Sequence, residues 1–394
     1  MRILHTADWH LGRTLEGRSR LAEQEAFIDE LAAIVHERQI DLVLLAGDVY
    51  DSVNPPAAAE QLFYEALARL SDQGHRPVYV IAGNHDHPDR LAAAAPLADK
   101  LGVKLIGLPE ARVHRIAIPR TGESAVLFAL PYPSESRLKE LLTDETDEAL
   151  LRSAYSDRVR HIALEQARHF GPDTVNLLMS HLYVMGGKET ESERPIQVGG
   201  AYTVDASALS AGASYAALGH LHRPQQQMSG DCLIRYSGSP LAYSFSEAGQ
   251  AKSVTIIEIA PGGAPVLEEL YLSCGRPLVE WQARGGLAEV YRWLEEGKDA
   301  AAWIDLELHL QETISLEQIH RLRQAREGFI HIRPVYPELQ AEADRIREVA
   351  KVPMDELFRR FYERQTGGAQ PEPELIQLFL ELLADEEDDP ASAV

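Results

Sequence analysis

The chain has 394 residues, 25% of them charged and 45% hydrophobic, an ordinary balance for a soluble globular protein with room for two or three domains. Its formal charge of −23 argues against holding nucleic acid through net charge, so any polyanion must be met by local basic patches, bound cations or a partner. No apolar run approaches the ~20 residues that span a bilayer, Cys232 and Cys274 are too few for a disulfide framework and lack zinc-site spacing, and Met1 leads straight into a strand-like run, so a cytoplasmic protein without a leader is expected.

Short apolar runs occupy residues 3–7, 42–46, 78–82, 103–106, 125–130, 175–179, 215–218, 233–236 and 253–259. Several have no polar alternation and read as strands covered on both faces. Amphipathic stretches lie between them at 22–38, 57–70 and 148–170. In the last, Leu150, Leu151, Ala154, Tyr155, Val159, Ile162, Ala163 and Ala167 recur at helical spacing. The pattern predicts a layered α/β domain over 1–272, a β-sandwich flanked by helices. Near Gly275 the texture changes. A helix over 287–296 is closed by Gly297, a strand follows over 303–310, Ser315 and Gln318 form a capping box, and 329–335 alternates again. A small α/β domain is expected over 273–342. The remaining 343–394 is a helical tail: Met354, Leu357, Phe358, Phe361 and Tyr362 form one stripe. A break at 367–371 precedes a short apolar helix with Leu375, Ile376, Leu378, Phe379, Leu380, Leu382 and Leu383. Such short helices are marginal alone and either pack on their own chain or dock on a partner. The tail also carries the acidic run Asp385–Asp389.

Metal-type side chains stand at the ends of the predicted strands. Asp8 and His10 follow the first, Asp48 and Asp51 the second, Asn84 and His85 the third; His181 ends a later strand, and His220 and His222 end the next. In an open α/β sheet, ligands bind outside the carboxyl ends of the strands. Carboxylate, imidazole and amide oxygen suit Mn²⁺, Fe²⁺ or Zn²⁺ and not a thiolate site. Strand alternation lets Asp8 point with His10 and His220 with His222. Glycines before Asp48, Asn84 and His220 permit sharp turns and close backbone approach. One aspartate can bridge two ions, and two ions ~4 Å apart can bind one phosphate and activate a water. Each piece alone is weak; together they define a site.

The motifs Asp8-Trp9-His10, Gly47-Asp48-Val49-Tyr50-Asp51, Gly83-Asn84-His85-Asp86, His181 and Gly219-His220-Leu221-His222 resemble those of the calcineurin-like metallophosphoesterase superfamily. Residues 3–12, Tyr236-Ser237-Gly238-Ser239-Pro240 and Ser244-Phe245-Ser246-Glu247 are similar to its SbcD family of bacterial nuclease subunits, and the likeness runs through to the tail. The resemblance implies that Asp8, His10 and His222 hold one divalent ion, that Asn84, His181 and His220 hold another, and that Asp48 bridges them, with Mn²⁺ the expected metal. It makes His85 the catalytic group that touches the scissile phosphate. It implies double-strand exonuclease and single-strand or hairpin endonuclease activity in DNA repair and recombination. The implied partner is SbcC, a coiled-coil SMC-like ATPase, bound through the tail, and a homodimer built on helices of the first domain is expected. Asp51 departs from the pattern, since archaeal and eukaryotic relatives tend to carry a histidine there that orients the catalytic one. It either hydrogen-bonds His85 or is an ordinary loop carboxylate.

Arg13, Arg18, Arg20, His87 and Arg90 are candidate DNA contacts around the first and third motifs, where phosphate binding positions substrate without reading sequence. Lys188 and Arg194 lie in a polar loop after His181. Tyr243 and Phe245 either stack a base or belong to the core. His5, inside the first strand, reads as a satisfied core residue. Two other readings compete: a cyclic-nucleotide phosphodiesterase or protein phosphatase with the same site, and a mainly structural subunit that tethers DNA ends.

Overall fold

The computed structural model describes residues 1–141, 155–194, 202–336, 354–366 and 370–387. The chain forms two compact units, Met1–Glu280 with Asp299–Asp305, and Trp281–Lys298 with Leu306–Val394.

The first unit is built on two six-stranded sheets. The strands of these two sheets are β1 (Arg2–Thr6), β2 (Leu42–Ala46), β3 (Val78–Ile81), β4 (Val103–Ile106), β5 (Val113–Ala117), β6 (Ser124–Leu130), β7 (Val175–His181), β8 (Tyr215–Gly219), β9 (Gln225–Ser229), β10 (Cys232–Tyr236), β11 (Ser253–Glu258) and β12 (Val266–Tyr271). One sheet has the order β12-β11-β1-β2-β3-β4, parallel from β1 to β4 and antiparallel at β11 and β12. The other has the order β9-β10-β8-β7-β6-β5, parallel from β10 to β6 and antiparallel at both edges.

The apolar runs are continuous because each central strand is covered twice. In β2, Leu42, Leu44 and Ala46 join the core between the sheets with Ile3, Leu127, Met179 and Tyr215. Val43 and Leu45 face the other way, into a cluster with Phe27, Leu31 and Phe63 of helices α1 (Leu21–Glu37) and α2 (Ala57–Ser71). The far face of the second sheet uses Leu178, Leu218 and Ile234 against Val159, Ile162 and Ala163 of α3 (Tyr155–Ala167). Every predicted run is a strand, in a sandwich flanked by helices. Residues 148–154 of the third amphipathic stretch, including Leu150, Leu151 and Ala154, lie outside the described residues. Strands β5, β9 and β12 were not expected: they are the half-exposed sheet edges and carry no apolar run. His5 is a satisfied core residue, its ring nitrogens 2.8 Å from Tyr215 Oη and 3.1 Å from the Leu218 carbonyl. Cys232 is buried, while Cys274 is only half-buried.

In the second unit, helix α4 (Gly286–Glu295) ends as its sequence predicts. Gly297 takes a φ of 68°, which favours glycine, while its N–H bonds the Leu294 carbonyl and the Lys298 N–H bonds that of Trp293. Ser315 and Gln318 form the expected reciprocal cap of α5 (Leu316–Ala325). Three strands, Leu278–Ala283, Trp303–His309 and Phe329–Val335, form a sheet in chain order, the first two straddling the boundary of the units. Trp281 is buried edge-on to Trp293 and Phe329. The tail contains α6 (Met354–Thr366) and α7 (Pro373–Glu387), which meet through a stacked Phe358–Phe379 pair at 4.3 Å. The expected domain border at 342–343 lies outside the described residues.

Candidate metal centre

The carboxyl ends of β1, β2 and β3 in one sheet and of β7 and β8 in the other deliver their side chains to one place. The chain bends sharply there: Asp8, His10, Asp48 and His220 have φ of 54°, 45°, 50° and 106°. Non-glycine residues are rarely left-handed, at a cost of about 1–3 kcal/mol each, and they persist only where the surroundings fix them. Here the fixing bonds are Asp8 N–H to the Gly47 carbonyl (3.0 Å), His10 N–H to that of Asp48 (3.0 Å) and Leu11 N–H to that of Val49 (2.9 Å). Two of the glycines allow the close approach: a Cβ on Gly83 would stand 2.1 Å from Asp48 Oδ1, and one on Gly219 1.9 Å from the Ala46 carbonyl oxygen.

Asp48 lies at the middle. Its Oδ2 is 3.5 Å from His181 Nε2, 3.6 Å from His10 Nε2 and 4.0 Å from His85 Nε2. Its Oδ1 accepts the His85 backbone N–H at 2.9 Å. On one side, His10 Nε2 and His222 Nε2 face each other at 3.0 Å, with Asp8 adjacent. On the other, His181 Nε2 is 2.8 Å from Asn84 Oδ1, and His181 Nδ1 is 2.9 Å from the Ala46 carbonyl. Asp8, His10 and His222 place ligand atoms within 4.8 Å of one another, as do Asp8, Asp48 and His181. Asp8 Oδ2 and His220 Nε2 are buried without a hydrogen-bond partner. Buried polar atoms are normally satisfied. Convergent lone pairs of carboxylate and imidazole without facing donors suit a divalent cation.

The charges fit the same reading. Burial pushes the Asp8 carboxyl up to about 7. Burial also drives His10 and His220 well below the usual imidazole range. Burial alone would raise Asp48, but His181 beside it holds it well below the carboxylate range; burial alone would lower His181, but Asp48 raises it to about 9. Without a cation, the centre therefore keeps a proton on His181 opposite Asp48.

His85 is buried, and its Nδ1 lies 2.8 Å from the backbone carbonyl of Asp51. Of the two alternatives for Asp51, a hydrogen bond from His85 to its carboxylate is not the one seen: the main-chain carbonyl makes that contact. The Asp51 carboxylate instead faces His10 Nδ1 and Arg13 Nη1, each at 3.6 Å. Sequence reasoning assigned no role to Asp86. Its buried carboxylate accepts the backbone N–H groups of Gly83 (2.8 Å), Tyr50 (2.9 Å) and Val49 (3.1 Å), tying the second and third motif loops together.

The candidate DNA contacts divide. Arg20 is corrected: it is 1% exposed, bonds both Glu23 carboxylate oxygens and the Ala242 carbonyl, and cannot meet a phosphate. Arg13 is half-buried beside the centre, bonded to the Ser192 carbonyl at 3.0 Å and lying 4.9 Å from the Tyr243 ring. Arg18 is half-buried. His87 and Arg90 are exposed, Arg90 paired with Glu60 at 2.8 Å, and Lys188 and Arg194 are exposed as well. Tyr243 is core, not a base platform: it is buried with its hydroxyl on the Trp9 carbonyl and its ring against His10 and His222.

Comparison with known proteins agrees with this geometry. Residues 1–224 match the family model for calcineurin-like phosphoesterases. The chain is 56% identical over 391 residues to the SbcD subunit of the nuclease SbcCD from Bacillus subtilis (strain 168), covering 99% of this chain and 100% of that one. The chain belongs to the calcineurin-like phosphoesterase family, in its SbcD branch. The SbcD subunit of the same nuclease from Rhodobacter capsulatus is 38% identical over 279 residues, 67% of this chain and 68% of that one. Residues 274–366 match a second model, described as a type 5 capsule protein repressor C-terminal domain.

Proposed function

We propose that this member of the SbcD branch is a DNA nuclease subunit that hydrolyses phosphodiesters with two divalent cations, Mn²⁺ being the metal expected, and that it acts with the ATPase SbcC on DNA ends and hairpins. The observation that carries the chemistry is Asp48 Oδ2, 3.5–3.6 Å from imidazoles on both sides of it. Asp8, His10 and His222 are the donors on one side, Asn84, His181 and His220 those on the other. When bound, the cations supply Lewis-acid charge and an activated water for phosphate hydrolysis. His85 directs Nε2 into the centre, since the Asp51 carbonyl takes its Nδ1–H. When the ring carries a second proton, on Nε2, that nitrogen is placed to protonate the leaving oxygen or to stabilise charge on the phosphate. Arg13, Arg18, His87 and Arg90 remain the proposed phosphate contacts, which position DNA by charge alone.

The chain's acidity supports work with a partner, because the bound ions and SbcC would offset it. In the tail, Phe361, Leu378 and Leu380 are exposed, the pattern of helices that dock elsewhere, and α6 and α7 are proposed to hold SbcC. Residues 273–342 are proposed as a cap and 343–394 as the docking tail. A homodimer through helices of the first unit and a cytoplasmic location complete the reading. Among the described residues no helix is long and apolar enough to cross a membrane.

The test is hydrolysis by the purified chain of end-labelled duplex DNA, hairpin DNA and a nitrophenyl phosphodiester, with Mn²⁺, Mg²⁺, Zn²⁺ or EDTA. Mn²⁺-dependent cutting of DNA that improves with SbcC is expected. Turnover of the small ester alone, with DNA intact even beside SbcC, would reassign the chain to small-molecule phosphodiesterases.

A further inference from the structure

His222 is gripped by groups that are not themselves donors to the centre. Its backbone N–H donates to Glu193 Oε1 at 2.8 Å, and its carbonyl accepts from Ser239 N–H at 3.1 Å and Lys252 Nζ at 3.2 Å. Its ring Nδ1 lies 2.6 Å from Ser192 Oγ. Ser192 Oγ in turn lies 2.8 Å from Thr190 Oγ1, and Thr190 Oγ1 donates to Glu193 Oε2 at 2.5 Å. Ser192 and Glu193 are buried.

The hydrogens along these bonds can be placed by counting. A carboxylate only accepts, a hydroxyl has one hydrogen, and a neutral imidazole has one N–H. Glu193 receives the Thr190 N–H, the Thr190 hydroxyl and the His222 N–H. The Thr190 hydrogen is thus committed, so Thr190 Oγ1 must accept from Ser192. The Ser192 hydrogen is then committed too, so its oxygen must accept Nδ1–H of His222. That leaves the lone pair on Nε2, the atom that faces His10 Nε2 at 3.0 Å.

We propose that Glu193, Thr190 and Ser192 form a one-way hydrogen-bond chain that fixes His222 as the Nδ1–H tautomer and so presets its Nε2 to receive a cation. The inference rests on the reading of Asp8, His10 and His222 as one cation site. Arg13 locks the chain in place by donating to the Ser192 carbonyl at 3.0 Å from its seat beside the Tyr243 ring. The three residues act through His222 and are positioning residues. Such outer partners of a ligating histidine are commonly worth about 10- to 100-fold in metal affinity.

The test is calorimetric titration of the full chain with Mn²⁺, for the wild type and for Thr190→Val, Thr190→Ser and Ser192→Ala, each checked by its melting curve. The wild type is expected to bind two ions. Thr190→Val keeps the side-chain shape and removes the relay; it and Ser192→Ala should weaken one ion by about 10- to 100-fold and leave the other unchanged. Thr190→Ser, which keeps the hydroxyl, should bind like the wild type. Long-range ¹⁵N spectra of the metal-free chain should show an unprotonated His222 Nε2 in the wild type and mixed tautomers in Thr190→Val. Unchanged Mn²⁺ binding in folded Thr190→Val and Ser192→Ala would overturn the proposal, as would equal losses in Thr190→Val and Thr190→Ser. A wild type that binds no Mn²⁺ would overturn the cation-site reading itself, and this inference with it.

Discussion

His220 and His222 stand two residues apart after β8, yet the protein holds them differently. His222 Nε2 faces His10 Nε2, and every other polar atom of His222 is held from outside the donor set: Glu193 for its N–H, Ser192 for Nδ1, Ser239 and Lys252 for its carbonyl. His220 donates its backbone N–H to Asp8 Oδ1, and its Nε2 is buried with no partner. The two sides of the centre differ in charge as well. His10 and His222 face each other as imidazoles at 3.0 Å, with His10 kept neutral by burial, whereas His181 keeps a proton opposite Asp48. The His222 side is thus shaped by hydrogen bonds before any cation arrives, although its Asp8 holds a proton up to about 7; the His181 side must displace a proton held to about 9. Preorganisation of a ligand and proton coupling are separate ways to set affinity; here proton coupling acts on both sides of Asp48, more strongly at His181, while the hydrogen-bonded preorganisation belongs to His222.

The largest expected effect lies outside both sides. His85→Ala removes a group that reaches into the centre but supplies no proposed metal donor. Turnover on DNA should fall by about 10²- to 10⁴-fold while metal content, read by elemental analysis, stays as in the wild type. Loss of metal together with activity would move His85 into the ligand set and break the symmetry about Asp48.

A smaller effect sharpens the contrast in charge. A cation on His181 must displace its proton, held to about 9, and one on Asp8 competes with a proton held to about 7. Both groups are protonated below these values, so binding should strengthen as pH rises from about 6 to 9, by up to about tenfold per pH unit for each proton displaced, and level off above. Titration in two buffers of different ionisation enthalpy counts the released protons. Proton release that does not change over this range would show that His181 and Asp8 are not donors. His10 and His220, already neutral, should contribute none.

Much of this was readable from residue types and spacing. The central strands declared themselves because both faces must be apolar, and the donors because they follow strand ends. What escaped was whatever depends on a neighbour distant in sequence. Strands β5, β9 and β12 are edges, and half-exposed edges need no apolar run. Arg13 and Arg20 look alike in one loop, but only Arg20 is fully buried, with both Glu23 carboxylate oxygens on its guanidinium. Glu23 three residues later was the available signal. Asp86 sits inside a motif, yet its role is to receive the backbone N–H groups of another loop. Thr190, Ser192 and Glu193 belong to no motif; they matter because the fold brings them against His222.

The most direct test of a two-cation centre bridged by Asp48 is anomalous diffraction from crystals of the chain grown with Mn²⁺. Two peaks about 4 Å apart are predicted, one touching Asp8, His10 and His222, the other Asn84, His181 and His220, with Asp48 reaching both. A single peak, or two peaks with Asp48 bound to neither, would contradict it.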